Sequence, residues 1–206
     1  YRDGFERLMR LDESIRLMKR MWRTDPGEGA SFAGDHYEIE AATCTPGPVQ
    51  EPHPRILVGG TGEEVTLKLV AKHADIWNTD VFNGDAETLE HKISVIEDHC
   101  ETVGRDPAEI EYSWDGHIMC TRDENKLDEL LELMTPIQIE DDYLDQPDIT
   151  RVNANEFFIM GTPEECAEQI QRRIDVGITK FMGWFVDFPD TSGMELFADE
   201  VVPQFQ

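Results

Sequence analysis

The sequence has little positive charge. Its 206 residues contain 18 lysines and arginines against 44 aspartates and glutamates, and the formal net charge at pH 7 is -26. Proteins approach nucleic acids and anionic membrane surfaces through clustered basic side chains. The composition therefore argues against both as partners.

The excess of acid runs through every predicted helix and is not confined to a tail. One interpretation is an ordinary solvated acidic face. The other is adaptation to concentrated salt, where repulsion between like charges is screened and carboxylates hold water and cations. The even distribution favours the second interpretation, a halophilic protein.

Cysteine is scarce as well, and long apolar runs are lacking. Neither a C-x-x-C pair nor a metal-type spacing to the six histidines occurs around Cys44, Cys100, Cys120 and Cys166. This pattern predicts reduced thiols and no metal site. No apolar stretch approaches the length of a membrane span, and no signal peptide is recognisable, so we expect a cytoplasmic protein.

The stretch from Pro54 to Asn78 combines a strand, a glycine turn, a helix and a second strand. Arg55–Val58 is a short apolar and β-branched run, and the turn is Gly59-Gly60-Thr61-Gly62. Residues at helical spacing follow, namely Leu67, Val70, Ala71 and Ala74. The sequence therefore predicts a β-turn-α unit.

Such a turn suits a phosphate group. The first N–H groups of a helix are unpaired, and the helix dipole places partial positive charge at the same end. Glycines let a ligand approach the backbone, and the Thr61 hydroxyl adds a donor. A tight loop without a ligand is the alternative, because a glycine cluster after a strand is by itself a weak signal.

Strands and helices alternate through the rest of the chain. Helices are predicted at 1–23, 85–103, 124–134, 162–177 and 194–205, a hairpin arm at 32–39, and core strands at 55–58, 75–78, 111–120 and 180–187. The last strand is almost wholly apolar, which predicts that both of its faces are covered. This alternation predicts a parallel sheet and resembles the second half of an eight-stranded barrel.

Several motifs resemble one known family. They include Y-R-D-G-F-E-R-L-M-R-L-D-E-S, F-A-G-D-H-Y-E-I, P-R-I-L-V-G-G-T-G, A-K-H-A-D-I-W-N, V-G-R-D-P-A-E-I and G-T-P-E-E-C-A-E-Q-I. In this order they resemble the luciferase-like monooxygenase superfamily, and most closely its deazaflavin (coenzyme F420)-dependent oxidoreductase branch. The resemblance covers nearly the whole chain.

The resemblance implies an α/β fold, the TIM (β/α)8 barrel of the luciferase-like type. Residues 1–206 would be the C-terminal part of one barrel domain, with the first strands absent and an insertion or mobile loop at 135–156. It also implies a homodimer and a small-molecule substrate.

For the cofactor, the resemblance implies coenzyme F420, with FMN as the alternative. Its phosphate would lie on the turn formed by Gly59, Gly60, Thr61 and Gly62. Trp77 and Asn78 match a recurrent A-D-x-W-N signature. In this signature either Asp75 holds the backbone and Trp77 fills the barrel wall, or the residues contact the cofactor directly. Most catalytic residues of the family precede the position of Tyr1, so the catalytic residues are unknown.

Three functions follow as hypotheses. The first is an oxidoreductase that transfers a hydride between reduced F420 and a small organic substrate. The second is an FMN-dependent monooxygenase, and the third is a non-catalytic flavin-binding or self-associating half-barrel. Asp115 and His117 on the predicted strand 111–120 receive no catalytic role, because polar residues on barrel strands are mostly hydrogen-bonded core groups.

Overall fold

The computed structural model describes residues 3–25, 27–79, 85–139 and 153–206. The fold is α/β, with a five-stranded sheet and a separate two-stranded hairpin. Contacts divide the chain into two units. The first comprises residues 1–58, 62–76 and 96–110, and the second comprises residues 59–61, 77–95 and 111–206.

The first unit contains helix α1 (Gly4–Trp22), the antiparallel hairpin of β1 (Ala30–Ala33) and β2 (Glu38–Ala42), and helix α2 (Thr66–His73). The apolar side chains predicted to face inward on α2 are all fully buried, namely Leu67, Val70, Ala71 and Ala74. The predicted first helix, the hairpin and the helix after the glycine turn are therefore confirmed, with boundaries shifted by a few residues.

Glu13 in α1 is a buried acidic residue. Its carboxylate is buried and accepts hydrogen bonds from the backbone N–H groups of Asp35 (3.1 Å), His36 (3.0 Å) and Tyr37 (2.6 Å) in the hairpin turn. Burial alone would raise the pKa of Glu13, but these three donors hold it below its ordinary value. A buried carboxylate thus organises the turn between β1 and β2.

The sheet has the order β3 (Leu57–Gly59), β4 (Ile76–Thr79), β5 (Glu111–Cys120) and β6 (Ile159–Gly161), and β7 (Ile178–Phe185) also pairs with β5. β5 is parallel to both β6 and β7. The remaining helices are α3 (Ala86–Val103), α4 (Glu124–Ile139), α5 (Ala154–Phe157), α6 (Pro163–Asp175) and α7 (Ser192–Glu200). The predicted parallel sheet is therefore confirmed.

Two local signals in the second unit have the predicted geometry. The Asp85 carboxylate accepts a hydrogen bond from the Thr88 amide (2.9 Å) at the start of α3. At the start of α6, Thr162 and Glu165 form a reciprocal capping box with Pro163 in the first turn. Both helix starts follow from sequence alone.

The second unit has its own apolar core, in which α4, α5 and the start of β6 pack together. Its buried members are Met119, Leu127, Leu130, Leu131, Met134, Ala154, Phe157, Phe158 and Met160. β6 was not predicted, because three residues are too few to show a periodicity. α4 continues to Ile139, beyond the predicted end at 134.

One strand prediction is wrong. β7 begins at Ile178, and it is not covered on both faces, because Trp184 is 65% exposed. The apolar run was interpreted as a doubly covered strand, whereas Thr179, Gly183 and Trp184 are exposed. The predicted last helix divides into α7 and a 3-10 turn at Val202–Phe205.

Part of the segment 135–156, predicted as an insertion or mobile loop, lies outside the described residues, namely 140–152. The single barrel domain over 1–206 stays a prediction. All four cysteines are free thiols, and three of them are buried. Within the described residues no helix combines the length and apolar character needed to cross a membrane.

Candidate functional site

The glycine turn is held by two hydrogen bonds to the end of β4. The Gly60 amide donates to the carbonyl oxygen of Asn78 (3.2 Å), and the Gly60 carbonyl oxygen accepts from Trp77 Nε1 (2.9 Å). Gly60 has a φ of 112°, a region that favours glycine. The path of the turn is therefore set by specific contacts within the second unit.

The next two amides of the turn have no internal acceptor. Among the described residues, nothing accepts a hydrogen bond from the backbone N–H of Thr61 or of Gly62. Thr61 is half-buried and Gly62 is exposed. An anion that reaches this backbone would therefore find two consecutive donors in place.

The helix does not follow the glycine turn directly. α2 starts at Thr66, and Glu63–Val65 form a turn between it and Gly62. The Gly62 carbonyl oxygen accepts from the Leu67 amide (3.0 Å), which ties the turn to the first helical residues. Val65 at the N-cap offers no side-chain acceptor, so the positive end of the helix is not neutralised by a cap.

Trp77 and Asn78 lie on β4, next to the turn. Trp77 is 0% exposed and packs edge-to-face on Tyr112, with ring centroids 6.0 Å apart. The Ser113 hydroxyl lies 2.5 Å from Asn78 Oδ1 and 3.2 Å from the Trp77 carbonyl oxygen. The contacts of Trp77 are those of a residue that positions the turn, and its direct contact with a cofactor stays a prediction.

Asp75 holds backbone in the first unit. Its Oδ2 atom accepts from the Ile56 amide (2.7 Å), and its own amide donates to the Ile56 carbonyl oxygen (2.8 Å). Arg55 Nη2 also donates to the Asp75 carbonyl oxygen (3.0 Å). Of the two roles that the A-D-x-W-N signature left open for Asp75, these contacts support the structural one.

A second group of polar side chains lies on one face of β5 and β7. Asp115 and His117 alternate with Trp114 and Gly116, so they project from the same side of β5. In the parallel register His117 is opposite Trp184, and Trp184 Nε1 donates to Asp115 Oδ1 (2.8 Å). Asp115 and His117 were recognisable in the sequence as polar residues of this strand, whereas Trp184 was not predicted here because its apolar strand was expected to be covered.

The structure separates the roles of the two polar residues. Asp115 is a hydrogen-bonded group, as expected, whereas His117 Nδ1 is buried and has no hydrogen-bond partner among the described residues. The His117 ring packs edge-to-face on Phe158 at 5.8 Å. Burial lowers the pKa of His117 and Asp115 opposes this in part, so the ring is neutral at pH 7 and one nitrogen is available to accept a proton.

These residues fit a phosphate-bearing cofactor at the turn. Gly62 provides exposed backbone, and a Cβ there would lie 3.1 Å from Thr66 Oγ1 and crowd the approach. The open amides and the Thr61 hydroxyl are donors, the groups that a phosphate requires. No cluster of three or more histidine, cysteine, aspartate or glutamate side chains with metal-site geometry occurs among the residues that the structure describes.

Known proteins with similar sequence or structure include several oxidoreductases. A segment of 56 residues is 43% identical to the FMNH(2)-dependent dimethylsulfone monooxygenase of Pseudomonas putida. The segment covers 27% of this chain and 15% of that enzyme. The fold is similar to an F420-dependent secondary alcohol dehydrogenase in complex with an F420-acetone adduct, with a TM-score of 0.81 and 19% identity. That match covers 98% of this chain and 63% of the dehydrogenase.

The coenzyme F420 dependent tetrahydromethanopterin reductase from Methanopyrus kandleri is also similar, with a TM-score of 0.78 and 17% identity over 95% of this chain and 64% of the reductase. The chain thus spans less than two thirds of either solved relative. At these identities the likeness shows only the fold, which is that of part of a (β/α)8 barrel. A model of the family described as luciferase-like monooxygenase matches residues 3–180. Because this match includes most of the sequence, the chain belongs to the luciferase-like monooxygenase family.

Proposed function

We propose that this protein is an oxidoreductase that transfers a hydride between reduced coenzyme F420 and a small organic substrate. The observation that carries the proposal is the pair of open amides at Thr61 and Gly62, on a turn fixed by Trp77 and Asn78. Structural similarity to two F420-dependent enzymes supports the choice of cofactor.

In this proposal the turn binds the cofactor through its phosphate. The amides of Thr61 and Gly62 and the Thr61 hydroxyl would donate to phosphate oxygens. Trp77 does not touch the phosphate. It holds the Gly60 carbonyl oxygen, and thereby keeps the following amides oriented before the ligand arrives.

The bound deazaflavin supplies the hydride chemistry, and the protein supplies position and proton handling. We assign proton transfer to the half-buried ring of His117, whose Nδ1 has no hydrogen-bond partner in the described part of the chain. When a substrate carbonyl takes a hydride from the reduced cofactor, the protonated imidazole would give its proton to the carbonyl oxygen; in the reverse direction, with the oxidised cofactor as hydride acceptor, the neutral imidazole would accept the hydroxyl proton. Asp115 holds the indole of Trp184, whose exposed ring forms an apolar wall for the substrate.

The second candidate is an FMN-dependent monooxygenase with the same phosphate turn. The observation that favours it is the 43% identity over 56 residues to an FMNH(2)-dependent monooxygenase. The turn itself does not discriminate between the cofactors, because both carry a phosphate that the same amides bind. The ring-binding part of the site must decide between them.

The test is a fluorescence titration of the full-length protein with F420 and, separately, with FMN. We expect micromolar binding of F420, and binding at least about tenfold weaker for FMN. Tighter FMN binding would establish the monooxygenase hypothesis instead. Failure of both cofactors to bind would refute the oxidoreductase proposal and favour the non-catalytic, self-associating half-barrel, which sedimentation analysis would detect as oligomers.

Two glycine variants locate the binding site. Gly62→Ala should weaken cofactor binding about tenfold, because its methyl group crowds the exposed backbone next to Thr66. Gly47→Ala is the matched control, since an added Cβ there meets only the Cys44 carbonyl oxygen at 3.9 Å. Equal affinities in the two variants would show that the cofactor does not use this turn.

A further inference from the structure

Arg173, near the end of α6, is a buried arginine. Only 3% of the residue is exposed, and the guanidinium lies over the Trp114 ring at 5.1 Å from the centroid. Nη1 donates to the Gln169 carbonyl oxygen (3.0 Å) and Nη2 donates to the Glu156 carbonyl oxygen (3.3 Å). Nε is buried without a hydrogen-bond partner among the described residues.

This cation has no ionic partner in the described part of the chain. Burial, together with the neighbouring charge of Arg172 and against the opposing effect of Asp85, lowers the pKa of Arg173 to about 10. The group is still protonated at pH 7. One oxygen of Asp85 already accepts from the Thr88 amide. A buried charge that forms no ion pair is costly, and an anion in contact with Arg173 would offset that cost.

Arg173 lies on the wall of a cavity in the second unit. The cavity has a volume of about 280 Å³ and is lined by Asp85, Ala86, Asn155, Glu156, Arg172 and Arg173. Ala86 is the first residue of the 18-residue helix α3, whose amino end carries partial positive charge. Two arginines, the first residue of a helix and an asparagine therefore border one space.

We propose that this cavity binds a single oxyanion group, a phosphate or a carboxylate, with Arg173 and Arg172 as its cationic partners. Two carboxylates, Asp85 and Glu156, also line the cavity and oppose a highly charged ligand such as a polyphosphate. Since the glycine turn contributes none of the lining residues, this site is separate from the proposed cofactor site and does not depend on it.

The test is isothermal titration calorimetry of the full-length protein with inorganic phosphate and, in a second arm, with acetate. Ionic strength is held constant with potassium chloride. We expect saturable binding of at least one anion, and the tighter one identifies the ligand group. Arg172→Gln should weaken binding about tenfold or more, because it removes a charge-assisted hydrogen bond.

Arg173→Lys should weaken binding as well, because an ammonium group lacks the planar fork of a guanidinium. Arg20→Gln is the control, since Arg20 is an exposed arginine of α1, far from the cavity in sequence, and the substitution removes the same charge. Gly62→Ala controls for binding at the turn. If Arg173→Lys does not fold, the anion affinity of Arg172→Gln decides whether the arginines bind the anion.

Three results would overturn the proposal. They are the absence of saturable binding by both anions, binding that Arg172→Gln leaves unchanged, and binding that Gly62→Ala abolishes while Arg172→Gln retains it. The third result would move the anion to the turn, and would leave the proposed function standing. If the cofactor does not bind but phosphate still binds in the cavity, the proposed function fails and the proposed anion site stands.

Discussion

Replacing Trp77 with phenylalanine tests the physical basis of the phosphate turn. Trp77 is fully buried, and its Nε1 is the donor that holds the Gly60 carbonyl oxygen at 2.9 Å. Phenylalanine keeps an aromatic ring beside Tyr112 but has no donor. The substitution therefore removes the hydrogen bond and leaves a small cavity, while the fold of the strand is retained.

The expected cost follows from these two losses. The lost hydrogen bond contributes about 1 kcal/mol to the free energy of unfolding, and the cavity left by the smaller ring adds about 1 kcal/mol. For a chain of this length, a total of about 2 kcal/mol lowers the melting temperature by roughly 4 to 8 °C. Loosening one residue of the turn should also weaken cofactor binding about tenfold.

Thermal unfolding followed by circular dichroism, together with the cofactor titration, measures both effects. Trp22→Phe is the matched control, because Trp22 is only half-buried, against the ring of His53 at 5.9 Å. It should lower the melting temperature by less than Trp77→Phe and leave cofactor affinity unchanged. If the two variants melt at the same temperature, the bond to Gly60 does not hold the turn and the reasoning fails.

Three further predictions concern stability. Thr162→Ala removes the capping box of α6 and should cost about 1 kcal/mol, seen as a melting temperature roughly 2 to 4 °C lower; an unchanged value would contradict the role of the cap. Burial lowers the pKa of His117 in the folded state. Below the ordinary histidine pKa of 6.5 the unfolded chain therefore binds more protons than the folded protein, and the free energy of unfolding falls as the pH decreases through that range. Chemical denaturation at pH 7.5 and 5.5 should show this loss, and His117→Gln should reduce it; a loss of the same size in the variant would disprove the assignment. With a net charge of -26, the protein should melt at a higher temperature in molar potassium chloride than at low salt, and equal values would refute the halophilic interpretation.

Sequence alone determined the features that depend on near neighbours in the chain. The Asp85 cap, the Thr162 capping box and the buried face of α2 arise from residues within four positions of one another, so periodicity and cap chemistry predict them. The glycine turn was recognisable for the same reason. The start of α2 was not predicted, because the turn at Glu63–Val65 carries no distinctive residue.

Tertiary structure decided the features that join distant residues. Glu13 looks like any surface glutamate of a helix until the hairpin brings three amides, more than twenty residues away, onto its carboxylate. Trp184 and Asp115 are 69 residues apart and meet only because β7 pairs with β5. Arg173 packs its buried guanidinium on the Trp114 ring, and helical periodicity does not reveal this contact. Local energetics are set by adjacent residues and can be read from the sequence, whereas burial, charge pairing and the open donors of a site depend on which strands become neighbours.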